Sequence, residues 1–100
     1  MPSMDAMAIH AKDAALLMKS LGNENRLMIL CSLIDGELSV GELNERIPLS
    51  QSSLSQHLAM LRTTKLVATR RESQVIYYRL LGDQAIRVIG VLKDMFCPET

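Results

Sequence analysis

Apolar residues recur at helical spacing through most of this chain and switch to strand alternation only near residue 67. From Asp5 to about Ser20, a predicted helix carries Ala14, Leu17, Met18 and Leu21 on one side, and Gly22 ends it. Asn23 is placed to cap a second helix, with Glu24 favourable at its positive N-terminal end. Leu27, Leu30, Cys31 and Ile34 make that helix's apolar stripe, and Asp35-Gly36 stops it. Ser39 and Glu42 have the spacing of a capping box, which predicts a short helix over Val40–Arg46. Pro48 separates it from the next helix, capped by Ser50 and running from Gln51 to about Thr63, with Leu54, Leu58 and Leu61 inward. Residues 67–71 and 75–80 read as two strands around a turn at Glu72-Ser73-Gln74. Asp83 opens a last helix, which Pro98 ends. Its apolar residues Ile86, Ile89, Val91, Leu92, Met95 and Phe96 span more than one core face needs. The predicted order is ααααββα, mainly α with a β-hairpin wing.

Helix three, a turn and helix four have the spacing of a helix-turn-helix, in which the second helix enters the major groove of DNA. With the three leucines inward, Gln51, Ser52, Ser55 and Gln56 project outward, and Ser53 and His57 fall at the margins. Glutamine can pair with adenine through two hydrogen bonds, and serine can donate or accept at several bases. Such a face could also be merely solvated, but three serines in two turns are poorly explained by helix stability. Arg62 and Lys65 follow at the end of this helix, and Arg70 and Arg71 flank the hairpin tip, where cations can meet phosphates. Strand alternation puts Arg70 and Arg71 on opposite faces, so a regular strand cannot present both to one duplex. His57 is placed either to contact a phosphate or to bridge helices. The DNA-binding candidates are therefore Ser50, Gln51, Ser52, Ser53, Ser55, Gln56, His57, Arg62, Lys65, Arg70 and Arg71.

Charge sharpens this picture. The formal net charge is zero, yet residues 46–79 hold six basic side chains against one acid, so a +5 segment is balanced by −5 elsewhere. A polarised neutral chain still presents a positive face to nucleic acid. One hundred residues predict one domain, 1–100. Within it, 39–63 is the helix-turn-helix, 66–80 the wing, and 1–21 and 83–97 the helices expected to dimerise. A chain this short buries little surface alone, and a homodimer adds some. No stretch approaches the ~18 consecutive apolar residues of a membrane span. The N-terminal stretch lacks the pattern of a signal peptide, which predicts a cytoplasmic protein, at the nucleoid when on DNA. Two cysteines in that compartment are expected as thiols. Neither a catalytic triad, a carboxylate pair nor a phosphate loop is apparent, so no enzyme is expected.

Residues 21–80 resemble the ArsR/SmtB family of winged-helix regulators. The likeness lies in N-x-x-R-L at Asn23–Leu27, E-L-S-V-G-E-L at Glu37–Leu43, S-Q-H-L-x-x-L at Ser55–Leu61, and the hairpin ending Y-Y-R-L. With a cysteine in I-L-C and another in F-C-P, the chain is most similar to the metal-independent, HlyU/BigR/SqrR-like subgroup. The metal-sensing members carry cysteines where this chain has Ser39 and Gly41, or histidine on the last helix, which has none here. Thiolate and imidazole are what such metals need, so no metal and no cofactor is expected.

The resemblance implies a homodimer on a pseudo-palindromic operator in double-stranded DNA, in some members governing virulence genes. It also implies redox sensing by Cys31 and Cys97, through a disulfide or polysulfide bridge that lowers DNA affinity. Composition alone favours a plainer reading, with Cys31 as core packing and Cys97 as an incidental thiol. A constitutive DNA-binding regulator and a winged-helix protein-interaction module are the competing functions.

Overall fold

A computed structural model describes residues 4–97. The elements are α1 (Met4–Leu21), α2 (Glu24–Ser32), β1 (Leu38–Ser39), α3 (Val40–Arg46), α4 (Gln51–Thr63), β2 (Val67–Glu72), β3 (Val75–Leu80) and α5 (Gln84–Phe96). The five helices and the hairpin match the expected order, with one addition. Leu38 and Ser39 form a short strand that pairs antiparallel with Tyr78 and Tyr77, so the sheet has three strands in the order β1-β3-β2. Two residues are too few to display alternation, which is why periodicity did not reveal β1.

Local chemistry sets the helix starts. Asn23 Oδ1 accepts from the backbone N–H groups of Asn25 and Arg26. Ser39 and Glu42 close the expected capping box, with bonds of 3.1 and 2.9 Å. Ser50 Oγ accepts from the Ser53 amide at 3.1 Å. Each satisfies N–H groups that the helix itself leaves without partners. At the other end of α4, the Leu66 amide donates to the Leu61 carbonyl and the Lys65 amide to that of Arg62. That pattern is a Schellman stop, with Lys65 in the left-handed region at φ +61°.

The core is largely leucine and isoleucine. Leu54, Leu58 and Leu61 are buried as expected, against Ile29, Leu30, Leu43, Leu66 and Ile89. Two expectations shift. On α2 and the turn after it the deepest side chains are Ile29, Leu30 and Leu33, whereas Leu27, Cys31 and Ile34 only flank the core. The inner face of α2 is thus rotated from the expected stripe, because α3, α4 and α5 all pack against it. The hairpin turn is also tighter: Glu72 pairs with Val75, leaving Ser73 and Gln74 as the turn, with Ser73 at φ +58°. Helix α5 ends at Phe96; the expected stop at Pro98 lies outside the described residues.

Candidate nucleic-acid interface

The inward leucines of α4 decide what its other side shows. Gln51, Ser52, Ser55 and Gln56 are exposed, and Ser53 and His57 are half-buried at the edges, as the spacing predicts. Ser50 is exposed, but its hydroxyl is engaged by the Ser53 amide and by the Ser52 and Ser53 hydroxyls at 3.1–3.2 Å. Its part is to start the helix and order the hydroxyls beside it.

The cations around α4 differ in how committed they are. Arg62 and Lys65 are exposed at its C-terminal end. Lys65 occupies a left-handed position where glycine is the usual residue. Only short polar residues tolerate that region well, so a lysine there costs about 1 kcal/mol. On the wing, Arg70 and Arg71 occupy opposite faces, as alternation requires. Arg71 is exposed, and its Nε donates to the Ser73 carbonyl at 3.3 Å.

Arg70 is far more occupied. Its Nε is 3.0 Å from both Glu37 carboxylate oxygens, its Nη1 lies 2.7 Å from Glu72 Oε2, and its Nη2 also meets Glu37. The guanidinium stands 4.4 Å from the centre of the Tyr77 ring. Those hydrogen bonds hold the Glu37 carboxyl below the usual carboxylate range. Two acids therefore meet the charge of Arg70, whereas Arg71 keeps its charge at the surface. The alternation rule separated the two arginines, but the acids opposite Arg70 were not visible in it.

Arg26, which was not among the sequence candidates, anchors the back of this face. Its Nε donates to the Ser20 carbonyl at 2.8 Å and its Nη2 to the Lys19 carbonyl at 3.0 Å, closing the C-terminal end of α1. Its Nη1 lies 3.3 Å from His57 Nδ1 on α4. His57 therefore does bridge helices, through this residue of the N-x-x-R-L motif. The motif was the available signal; its partner 31 positions away was not.

Cys31 on α2 and Cys97 just after α5 line one cavity of about 330 Å³, with Leu27, Ile89, Leu92, Lys93 and Phe96. Its walls are apolar apart from the approach of Lys93. Both cysteines are thiols. Burial pushes the Cys31 thiol above its ordinary value, and the Lys93 charge partly offsets this. Cys97 is exposed. Among the described residues, no three His, Cys, Asp or Glu side chains stand close enough to share a metal ion. No helix among them is long and apolar enough to cross a membrane.

Comparison with known proteins agrees with this geometry. Residues 23–69, which run from the α2 cap into the wing, match the model of the bacterial regulatory protein, arsR family. The transcriptional activator HlyU of Vibrio cholerae is 46% identical over 95% of this chain and 88% of its own length. The crystal structure of the transcriptional repressor BigR from Xylella fastidiosa superposes with a TM-score of 0.89 at 40% identity, covering 96% of this chain and 98% of that one. A homodimeric winged helix-turn-helix DNA-binding domain from Mycobacterium bovis superposes at 0.79 with 29% identity, over 93% of this chain and 86% of that one. With a helix-turn-helix, a wing and these relatives along nearly its whole length, the chain belongs to the arsR family of winged-helix bacterial transcriptional regulators.

Proposed function

We propose that this chain is a cytoplasmic, homodimeric regulator that binds double-stranded DNA and loses affinity when Cys31 and Cys97 are oxidised or persulfidated. One observation carries the switch: two cysteines 66 positions apart in sequence line one apolar cavity. In the DNA contact, Gln51, Ser52, Ser55 and Gln56 read base edges, with Ser50 and Ser53 ordering the start of the helix. His57, Arg62, Lys65 and Arg71 meet the backbone, and Arg70 joins them by exchanging a carboxylate for a phosphate. Two such faces on a dimer suit a pseudo-palindromic operator, whose half-sites lie about one helical turn apart.

The chemistry follows from exposure. Cys97 is open to solvent and attacks first, whereas burial disfavours the Cys31 thiolate. With a polysulfide, the Cys97 thiolate breaks an S–S bond, forms a persulfide and releases a shorter polysulfide anion. The Cys31 sulfur then displaces hydrosulfide, and the disulfide has cost the two thiols two electrons. With a peroxide, the intermediate is a sulfenic acid and water leaves in the second step. Either product ties α2 to the end of α5. That tie changes the angle between protomers, so the two recognition helices no longer fit both half-sites.

Fluorescence anisotropy on duplex DNA from upstream of its own gene tests this, with protein reduced, polysulfide-treated and reduced again. The expected result is reversible weakening by several-fold to about a hundredfold, the range of a typical coupling of ~1–3 kcal/mol. Cys31→Ser should hold the tight state under polysulfide. Equal affinity in both states would remove the switch and leave a constitutive regulator. Binding that is insensitive to salt would point to a protein-interaction module instead.

A further inference from the structure

We propose that Arg26 is a positioning residue of the DNA-reading face: it holds His57 as the Nε2–H tautomer, and that N–H donates to a phosphate oxygen of bound DNA. The inference rests on the DNA-binding reading above and adds the donor atom, its tautomer and the residue that selects it. A guanidinium has only donors, and an imidazole offers its partner either a donor or an acceptor according to tautomer. Arg26 Nη1 stands 3.3 Å from His57 Nδ1, so Nδ1 accepts and the ring proton sits on Nε2. Arg26 cannot easily turn away, because its Nε and Nη2 are bound to the Ser20 and Lys19 carbonyls.

Nε2 makes no hydrogen bond among the described residues, and the ring is half-buried at the margin of the exposed face of α4. The ring is thus fixed on its inner side and offers a donor on its outer side. A neutral donor fits the edge of a recognition helix, where the sugar–phosphate backbone runs past. The same guanidinium binds the end of α1, so the direction of this donor is tied to that helix end as well as to α2.

The tautomer is read from long-range nitrogen–proton NMR of the His57 ring in the free protein, and then with DNA added. Nδ1 should be unprotonated, and the Nε2–H signal should move on binding. His57→Ala should weaken binding roughly tenfold, the loss of one hydrogen bond to a charged group. That loss should be uniform across operator variants and leave the salt dependence unchanged, because a neutral donor releases no counterion. His57→Gln keeps an N–H donor and should recover most of the affinity. Arg26→Met should give mixed tautomers and an intermediate affinity. Because it also opens the end of α1, the two histidine variants decide the matter if it fails to fold.

Protonated Nδ1, an Nε2–H signal unmoved by DNA, or full affinity in His57→Ala would overturn the proposal. A loss confined to one base pair would also do so, as would a salt slope lower by about one. No DNA binding by the unaltered protein would instead remove the DNA-binding reading, while the tautomer in free protein would still test the part given to Arg26.

Discussion

Lys65 and Arg70 show how far a single residue's surroundings govern what its charge can do. Lys65 sits at φ +61°, where its own backbone would be better served by glycine. Lys65→Gly should therefore stabilise the fold by about 1 kcal/mol in denaturant unfolding. The same change should weaken DNA binding and lower its salt slope by about one, since one phosphate contact is lost. A gain in both stability and affinity would rule out a DNA contact by this lysine. Arg70 is held by Glu37 and Glu72 in an exposed cluster, and exposed pairs of this kind are weak enough to exchange partners. Glu37→Gln should therefore remove one of the two acids on Arg70, leaving Glu72, and give tighter and more salt-dependent DNA binding. Unchanged affinity would confine Arg70 to a structural part. The Glu37 carboxyl is depressed by Arg70, so the pairing is complete above the ordinary carboxylate pKa of about 4.3 and is lost only as pH falls through the lowered value. Carboxyl NMR titration of Glu37 should give a midpoint below that of an ordinary glutamate, and Arg70→Ala should bring it back.

Helices α2, α3 and α4 each begin with a capping signal written in adjacent residues, and α3 is the clearest case. At seven residues it is too short to persist by propensity. It is held by its capping box and by Leu43, which is wholly buried. Ser39→Ala should cost about 1 kcal/mol of unfolding free energy. Because the Asn44 side chain of α3 donates to the Leu49 carbonyl at 2.8 Å, the variant should show its greatest loss of amide-exchange protection in α3 and in the turn before Ser50. A uniform loss would mean that the cap acts only through global stability. Helix α4 itself is fixed from three sides: leucines beneath, the hydroxyl cap at its start and Arg26 through His57. A surface of short polar side chains is thereby held on a rigid support, which is what reading base edges demands.

Over the whole molecule, the imbalance between buried and exposed apolar residues is greatest at the outer helices. Of α1, only Ser20 and Leu21 are buried, while Ile9 and Met18 are 77% and 74% exposed. On α5, Ala85 and Ile89 enter the core, but Val91, Met95 and Phe96 remain 53%, 67% and 77% exposed. The radius of gyration of 14.8 Å exceeds the ~13 Å of a compact domain this size. Large apolar side chains left in solvent on both outer helices are what the proposed homodimer would cover, and the M. bovis relative is described as homodimeric. Sedimentation should give about twice the 11.1 kDa chain mass. Val91→Glu should leave the helix content intact, lower that mass towards one chain and weaken DNA binding together. A monomer that still binds DNA tightly would separate assembly from function.

What the sequence determined alone was the order of the helices and hairpin, the caps, the inward leucines of α4 and the polar face opposite them. These depend on residues three or four apart, or on strand alternation, so the pattern is already written in neighbouring positions. The rotated face of α2 and the added strand β1 depend on which elements pack together, and only the folded chain decided them. The same holds for Arg70, whose acid Glu37 is 33 positions away, and for His57, 31 positions from Arg26. It holds most of all for Cys31 and Cys97, brought to one cavity across 66 positions by the packing of α5 on α2. Hydrogen bonding and charge act over a few ångströms of space, whatever the separation along the chain. Local chemistry therefore placed α4 and its polar face, while tertiary packing selected the side chains that steady it, neutralise Arg70 and bring the two cysteines together.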